Sequence, residues 1–209
     1  MATIDPSPPT STSTTPPVGS ATSTAPGGDR GSISTQGGDR LLLRAAAFFT
    51  VAVLVHGADH ARRGIDSVGT DVFMAGTSAM AVEIAIVVLA CGRHRLAPLV
   101  FAGAGFSLAL GYLFVHVLPA RPWLSDSFTS GAAVSALSWA AASLEIAAAL
   151  VVGTAGVIVL RQRGGLASAT RPHTGQAGLG SGFRHPLALT MIAGNAVILA
   201  VSVVQLAQR

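Results

Sequence analysis

Residues 72–91 read VFMAGTSAMAVEIAIVVLAC: twenty residues, one of them charged. At 1.5 Å per residue a helix of that length reaches across roughly 30 Å of hydrocarbon. The run shows no period-two alternation, and an isolated apolar strand would leave its backbone unpaired in lipid. The reading is a transmembrane helix.

Four more segments of the same kind flank it: 41–60, 96–118, 131–160 and 187–206. Together they predict an all-α, polytopic transmembrane bundle of about five helices over residues 40–209. The fourth segment is longer than a straight span needs and is expected to tilt or protrude. Pro119 is placed to stop the third helix, and Pro186 suits the first turn of the fifth. Asp71 is a candidate cap for the second helix, and Thr129 or Ser130 for the fourth.

The bulk composition agrees. The chain is 50% hydrophobic and 11% charged, with mean hydropathy +0.60. A soluble domain carries about 25% charged residues. All 13 basic residues are arginine, against 9 acids, for a net charge of +4. These arginines border apolar segments, so they are read as topology determinants, and nucleic acid is not an expected partner. Arg30, Arg40, Arg44, Arg93, Arg95, Arg161, Arg163, Arg171 and Arg184 would be cytoplasmic if the N-terminus is. Arg62, Arg63, Arg121 and Arg209 would be outside. The excess favours a cell-membrane protein with its N-terminus inside and its C-terminus outside.

Residues 1–39 are rich in Ser, Thr, Pro and Gly, with Ile4, Val18 and Ile33 as their large apolar residues. So little apolar surface does not offset the entropy of ordering, so a disordered cytoplasmic tail is expected. The single cysteine, Cys91, excludes an intrachain disulfide and reads as a small buried hydrophobe.

The chain also resembles itself. VLVHGADHARRGID (53–66) aligns with LFVHVLPARPWLSD (113–126), and AVEIAIVV (81–88) with SLEIAAAL (143–150). His56 then pairs with His116, Arg62 with Arg121, Asp66 with Asp126, and Glu83 with Glu145. The His-to-Glu separations are 27 and 29 residues. This suggests a duplicated two-helix hairpin in parallel orientation.

Those residues carry the functional expectations. Glu83 and Glu145 fall near mid-membrane, where a carboxyl group is costly unless paired, so they are candidate functional groups. Their expected partners are His56, Ser138, Asn195 or a bound cation. Ala141, Ala142, Ala148 and Ala149 flank Glu145 and would let a neighbouring helix approach, as would Gly103, Ser107 and Gly111 on the third helix. His56 and His60 are four apart on one helix face with Asp59 alongside. With His116 they form a candidate site for a divalent transition metal such as Zn, Ni, Co or Cu(II). An alternative makes His56 and His116 the axial ligands of a b-type haem. Tyr112, Trp123 and Trp139 read as interfacial anchors. No phosphate loop, nucleophile elbow or HExxH motif occurs, so an enzyme is not expected.

HGADH (56–60) is similar to part of the nickel-permease signatures, but their proline and downstream pattern are missing, so no role is carried over. In overall composition the chain resembles small multi-pass membrane proteins of high-GC Gram-positive bacteria, which implies no activity. The sequence therefore supports a membrane protein that binds or moves a metal cation or a proton. Haem binding and a non-catalytic scaffold, as a homo-oligomer or partner subunit, are the alternatives.

Overall fold

The structure is a computed structural model that describes residues 30–64, 67–120, 122–129 and 133–166. These form helices α1 (Arg30–Arg63), α2 (Thr70–Cys91), α3 (Ala97–Tyr112) and α4 (Ala136–Gln162). α3 runs on as one π-helical turn, Leu113–Val117. There is no strand among the described residues. Among the described residues four helices are long and apolar enough to cross a membrane. The chain is an all-helical transmembrane bundle of the expected class. The fifth expected segment, 187–206, lies outside the described residues, as do residues 1–29 of the tail.

Several boundaries differ from the expectation, each for a local reason. α1 begins at Arg30, well before the apolar run. Its early turns are tied to the end of α4: Arg163 Nη2 donates to Asp39 Oδ1 at 2.5 Å, and Gly38 faces Val159. α4 begins at Ala136 rather than near Gly131. Its cap is Ser135, not Thr129 or Ser130, and Ser135 and Ser138 exchange side-chain and backbone bonds as a capping box. Gly69, not Asp71, occupies the cap position of α2. Asp71 lies in the first turn, and its carboxylate accepts a bond from the Leu124 amide.

The core lies between α1, α3 and α4, around Phe49, Phe101, Ala148, Ala149 and Val152. Leu110, Val51 and Leu137 are more than half exposed and face the surroundings, as lipid-facing side chains must. α3 and α4 pack most closely. A Cβ on Gly105 would stand 2.3 Å from the Gly153 backbone nitrogen, and one on Gly156 would stand 2.4 Å from that of Ala102. Contact this close, between helices that gain nothing from excluding water, is what small interface residues provide in lipid. The expected stripe on α3 was a different one. A Cβ on Gly103 or Gly111 would meet nothing within 4 Å. The small residues that seat α3 are Gly105, with Gly153 and Gly156 opposite.

α2 joins the core at its C-terminal end and meets the loop after α3 through Asp71 at the other. It gives Ile86, Val87, Ala90 and Cys91 to the core, as expected for Cys91, while its Thr70–Met80 half borders a cavity.

Gly105→Ala and Gly156→Ala are expected to lower bundle stability by about 1–3 kcal/mol through overpacking. Gly103→Ala should leave it unchanged or raise it by up to about 1 kcal/mol through helix propensity. Thermal unfolding of the detergent-solubilised protein separates the two outcomes.

Candidate metal and polar site

The polar residues stranded inside this apolar bundle form one continuous column. It starts at the Arg62–Arg63 end of α1 and descends toward mid-bundle.

The top layer is ionic. Asp59 Oδ1 accepts from Arg62 Nε (3.0 Å), Arg62 Nη2 (2.8 Å) and Ser138 Oγ (3.1 Å). Its Oδ2 accepts from Arg63 Nε at 3.1 Å. Arg63 then reaches the loop after α3. Its Nη1 and Nη2 donate to Asp126 Oδ1 and Oδ2 at 3.0 and 2.6 Å, a bidentate pair. The Arg63 and Asp126 side chains are 1% and 5% exposed. Arg63 also lies over the Phe128 ring, 5.1 Å from its centroid. Burial alone would push the Asp126 carboxyl up. Hydrogen bonds from His116 and Arg63 and the Arg63 charge outweigh it and hold the group well below the usual carboxylate range.

Below this layer three imidazoles meet. His56 and His60 come from successive turns of α1, and His116 comes from the π turn. One donor atom from each lies within 4.8 Å of the others. The ring centroids are 4.5 Å apart for His56–His60 and 4.7 Å for His56–His116. The π turn has a visible consequence here. Its unspent carbonyls are taken by the loop: Asp126 N–H donates to Val115 O at 3.1 Å, and Phe128 N–H to His116 O at 2.9 Å. The loop thereby returns Asp126 to His116, whose Nδ1 stands 3.3 Å from the Asp126 carbonyl and 3.4 Å from Oδ2. On the other side His60 Nδ1 accepts from Arg63 Nη2 at 2.9 Å.

The third layer holds the two carboxyl groups. His56 Nε2 lies 3.6 Å from Glu145 Oε2. Tyr112 Oη donates to Glu83 Oε1 at 2.5 Å and also interacts with Glu145. Glu83 and Glu145, from α2 and α4, thus converge on one α3 hydroxyl. Glu83 is 4% exposed and Glu145 3%, and Ala141, Ala142, Ala148 and Ala149 around Glu145 are buried as expected. His56 Nδ1, Glu83 Oε2 and Glu145 Oε2 have no hydrogen-bond partner among the described residues. The whole face borders a cavity of about 660 Å³ between α1, α2 and α3.

The structure therefore brings His56, His60 and His116 together and sets Glu145 beside them. It separates Asp59, which the sequence grouped with the metal ligands: both its oxygens are taken by arginines and Ser138. The carboxylate beside the imidazoles is Asp126. Ser138 serves Asp59 and not a glutamate, and Asn195 lies outside the described residues. Tyr112 is a partner of Glu83 and not an interfacial anchor. The haem alternative does not fit. Axial ligands stand on opposite faces of a porphyrin with iron between them, whereas the His56 and His116 rings touch edge to face with no gap for a macrocycle. Arg63, Tyr112 and Asp126 are the members that sequence reasoning did not place in the site. The one available signal was the alignment of Asp126 with the end of the first hairpin.

Removing one partner of the buried ionic layer leaves the others uncompensated. Arg63→Ala is expected to cost about 3–5 kcal/mol, and Arg62→Ala, whose side chain is 40% exposed, less than about 1 kcal/mol. Thermal unfolding in detergent reads both. Comparison of the chain with protein-family models, curated proteins and solved structures gives no match, so the reading of this site rests on its geometry.

Proposed function

We propose that this membrane protein binds a divalent transition-metal cation inside the bundle through His56, His60 and His116, and hands it on toward Glu145 and Glu83. The observation that carries the reading is the meeting of three imidazole donors within 4.8 Å, from two helices, inside an apolar bundle.

The donor chemistry fits. Imidazoles suit Zn, Ni, Co and Cu(II). Donors on a common tetrahedral ion at about 2.0–2.1 Å stand about 3.3 Å apart, so small ring rotations close the set. His116 is prepared for this role. With Nδ1 facing the Asp126 carbonyl, its other nitrogen keeps a lone pair for an ion, an arrangement metal sites use to fix the tautomer. Among the described residues His56 Nδ1 has no hydrogen-bond partner to give up. His60 must leave Arg63 Nη2 or present its other nitrogen. Glu145 Oε2, next to His56, offers an oxygen as fourth donor and a step toward Glu83. With the N-terminus inside, the imidazoles would lie toward the outer surface, and the ion would approach past Arg62 and Arg63. Those two guanidiniums are held by Asp59 and Asp126, so the approach is not a bare cationic barrier.

Full-length protein in detergent, stripped with chelator and reloaded with Zn²⁺, is expected to hold about one ion per chain. His56→Ala and His116→Ala should each weaken binding by at least about tenfold. Elemental analysis after gel filtration reads the stoichiometry. No retained metal, or equal retention by the His56→Ala/His116→Ala double variant, would overturn the proposal.

A further inference from the structure

The cavity is far larger than a metal ion needs. A water molecule's share of liquid is about 30 Å³, and pockets for drug-sized organic molecules run about 300–1,000 Å³. This one is about 660 Å³ and its walls are mainly apolar, with Val53, Phe73, Met80 and Val115 among them.

Glycines border the space. Gly57, Gly76 and Gly111, one from each of the three helices, line it. A Cβ added at any of them would meet nothing within 4 Å. Glycine inside a helix is less stable than alanine. Gly105 and Gly156 sit in close helix contact, whereas Gly57 is half-buried and Gly76 and Gly111 are exposed, with room for a larger side chain at the border of the cavity.

The cavity has an open side. Its wall includes Leu54 and Leu110, which are 39% and 66% exposed. Leu54 lies about 14 Å from the Arg63 end of α1 and Leu110 about 10 Å from Val117 at 1.5 Å per residue, so in a bilayer this opening would lie at the level of the hydrocarbon. At the inner end His56 Nδ1, Glu83 Oε2 and Glu145 Oε2 have no hydrogen-bond partner among the described residues. A plain hydrocarbon occupant would leave these polar atoms unpaired, which is costly in lipid. An anionic lipid head would meet two carboxyl groups, and the nearby Arg63 is already bidentate on Asp126. A fatty alcohol brings one hydroxyl for three atoms.

We propose that the cavity binds a membrane-soluble amphiphile of the hydroquinone class. Its ring hydroxyls would pair with Glu83, Glu145 and His56, and its apolar tail would leave between Leu54 and Leu110. His56 and Glu145 also serve the proposed metal site and Glu83 its onward path, so the two ligands would compete there and hydroquinone binding is tested on metal-stripped protein; the three glycines are not metal ligands.

The probe is a decyl-tailed benzohydroquinone, kept reduced, added to the metal-stripped full-length protein in nanodiscs, with n-decanol as the tail-matched control. The hydroquinone is expected to raise the unfolding temperature saturably, and decanol is not. Gly76→Leu and Gly111→Leu should weaken the hydroquinone effect by about tenfold or more while holding Zn²⁺ as the parent does. Gly76→Ala and Gly111→Ala, smaller fillings of the same space, should give a graded loss if a leucine variant fails to fold. Equal stabilisation by decanol, no saturable effect, or undiminished binding in the folded glycine variants would overturn the inference. Because Zn²⁺ loading is measured on the same preparations, loss of the metal reading and loss of this one are told apart.

Discussion

The Arg63 guanidinium, gripped by Asp59 on its own helix and by Asp126 from the loop after α3, is the contact on which the rest of the site depends. A charge of this kind costs several kcal/mol to bury alone and is tolerable only when paired and hydrogen-bonded. Here Arg62 and Arg63 face Asp59 and Asp126, so the layer is neutral as a whole. The pairing ties α1 to the loop across 63 residues of sequence. It also fixes the chemistry beneath it. Asp126 sets the orientation of His116, and Arg63 engages His60. Two of the three imidazoles are thus held by the same two residues that close the end of the bundle, and His56 lies beside Glu145.

The bundle divides into a tight part and a loose part. α3 and α4 meet backbone to backbone at Gly105, Gly153 and Gly156, and α1 joins them through Phe49 and its small neighbours. This rigid part carries the three histidines, Tyr112 and Glu145. α2 brings Glu83 alone from its own side and is anchored through Ile86–Cys91. At its other end Asp71 is bonded to the Leu124 amide, and the turns between these two anchors border the cavity, where local opening would draw on fewer buried apolar contacts. Glu83 meets the rigid part through one hydrogen bond, to Tyr112. A ligand that takes that hydroxyl or that carboxyl would change how α2 is held.

The helices were legible because lipid allows little else: twenty apolar residues must close their backbone bonds internally. Glu83, Glu145 and the histidines were legible because polar groups at such depth stand out. What was hidden is what long-range folding decides. Asp59 looked like a ligand because it neighbours His56 and His60, yet two arginines of its own helix claim it first. Asp126 looked like a loop residue, and only the π turn that frees the Val115 and His116 carbonyls brings it back. Tyr112 sits near a helix end, where an aromatic residue usually marks the interface, but it turns inward to Glu83. The two small-residue patterns on α3 are alike in sequence. One seats α4 and the other borders empty space, and only the packing separates them. The residues that the internal alignment pairs, His56 with His116 and Glu83 with Glu145, do meet at one site.

Whether the three imidazoles inside the bundle form one metal centre is decided by X-ray absorption of the Zn²⁺-loaded protein. The expected result is a shell of nitrogen and oxygen at about 2.0–2.1 Å with the outer-shell scattering of about three imidazole rings, and loss of ring scattering in His116→Ala. A sulfur shell at about 2.3 Å, or a shell without imidazole scattering, would contradict it.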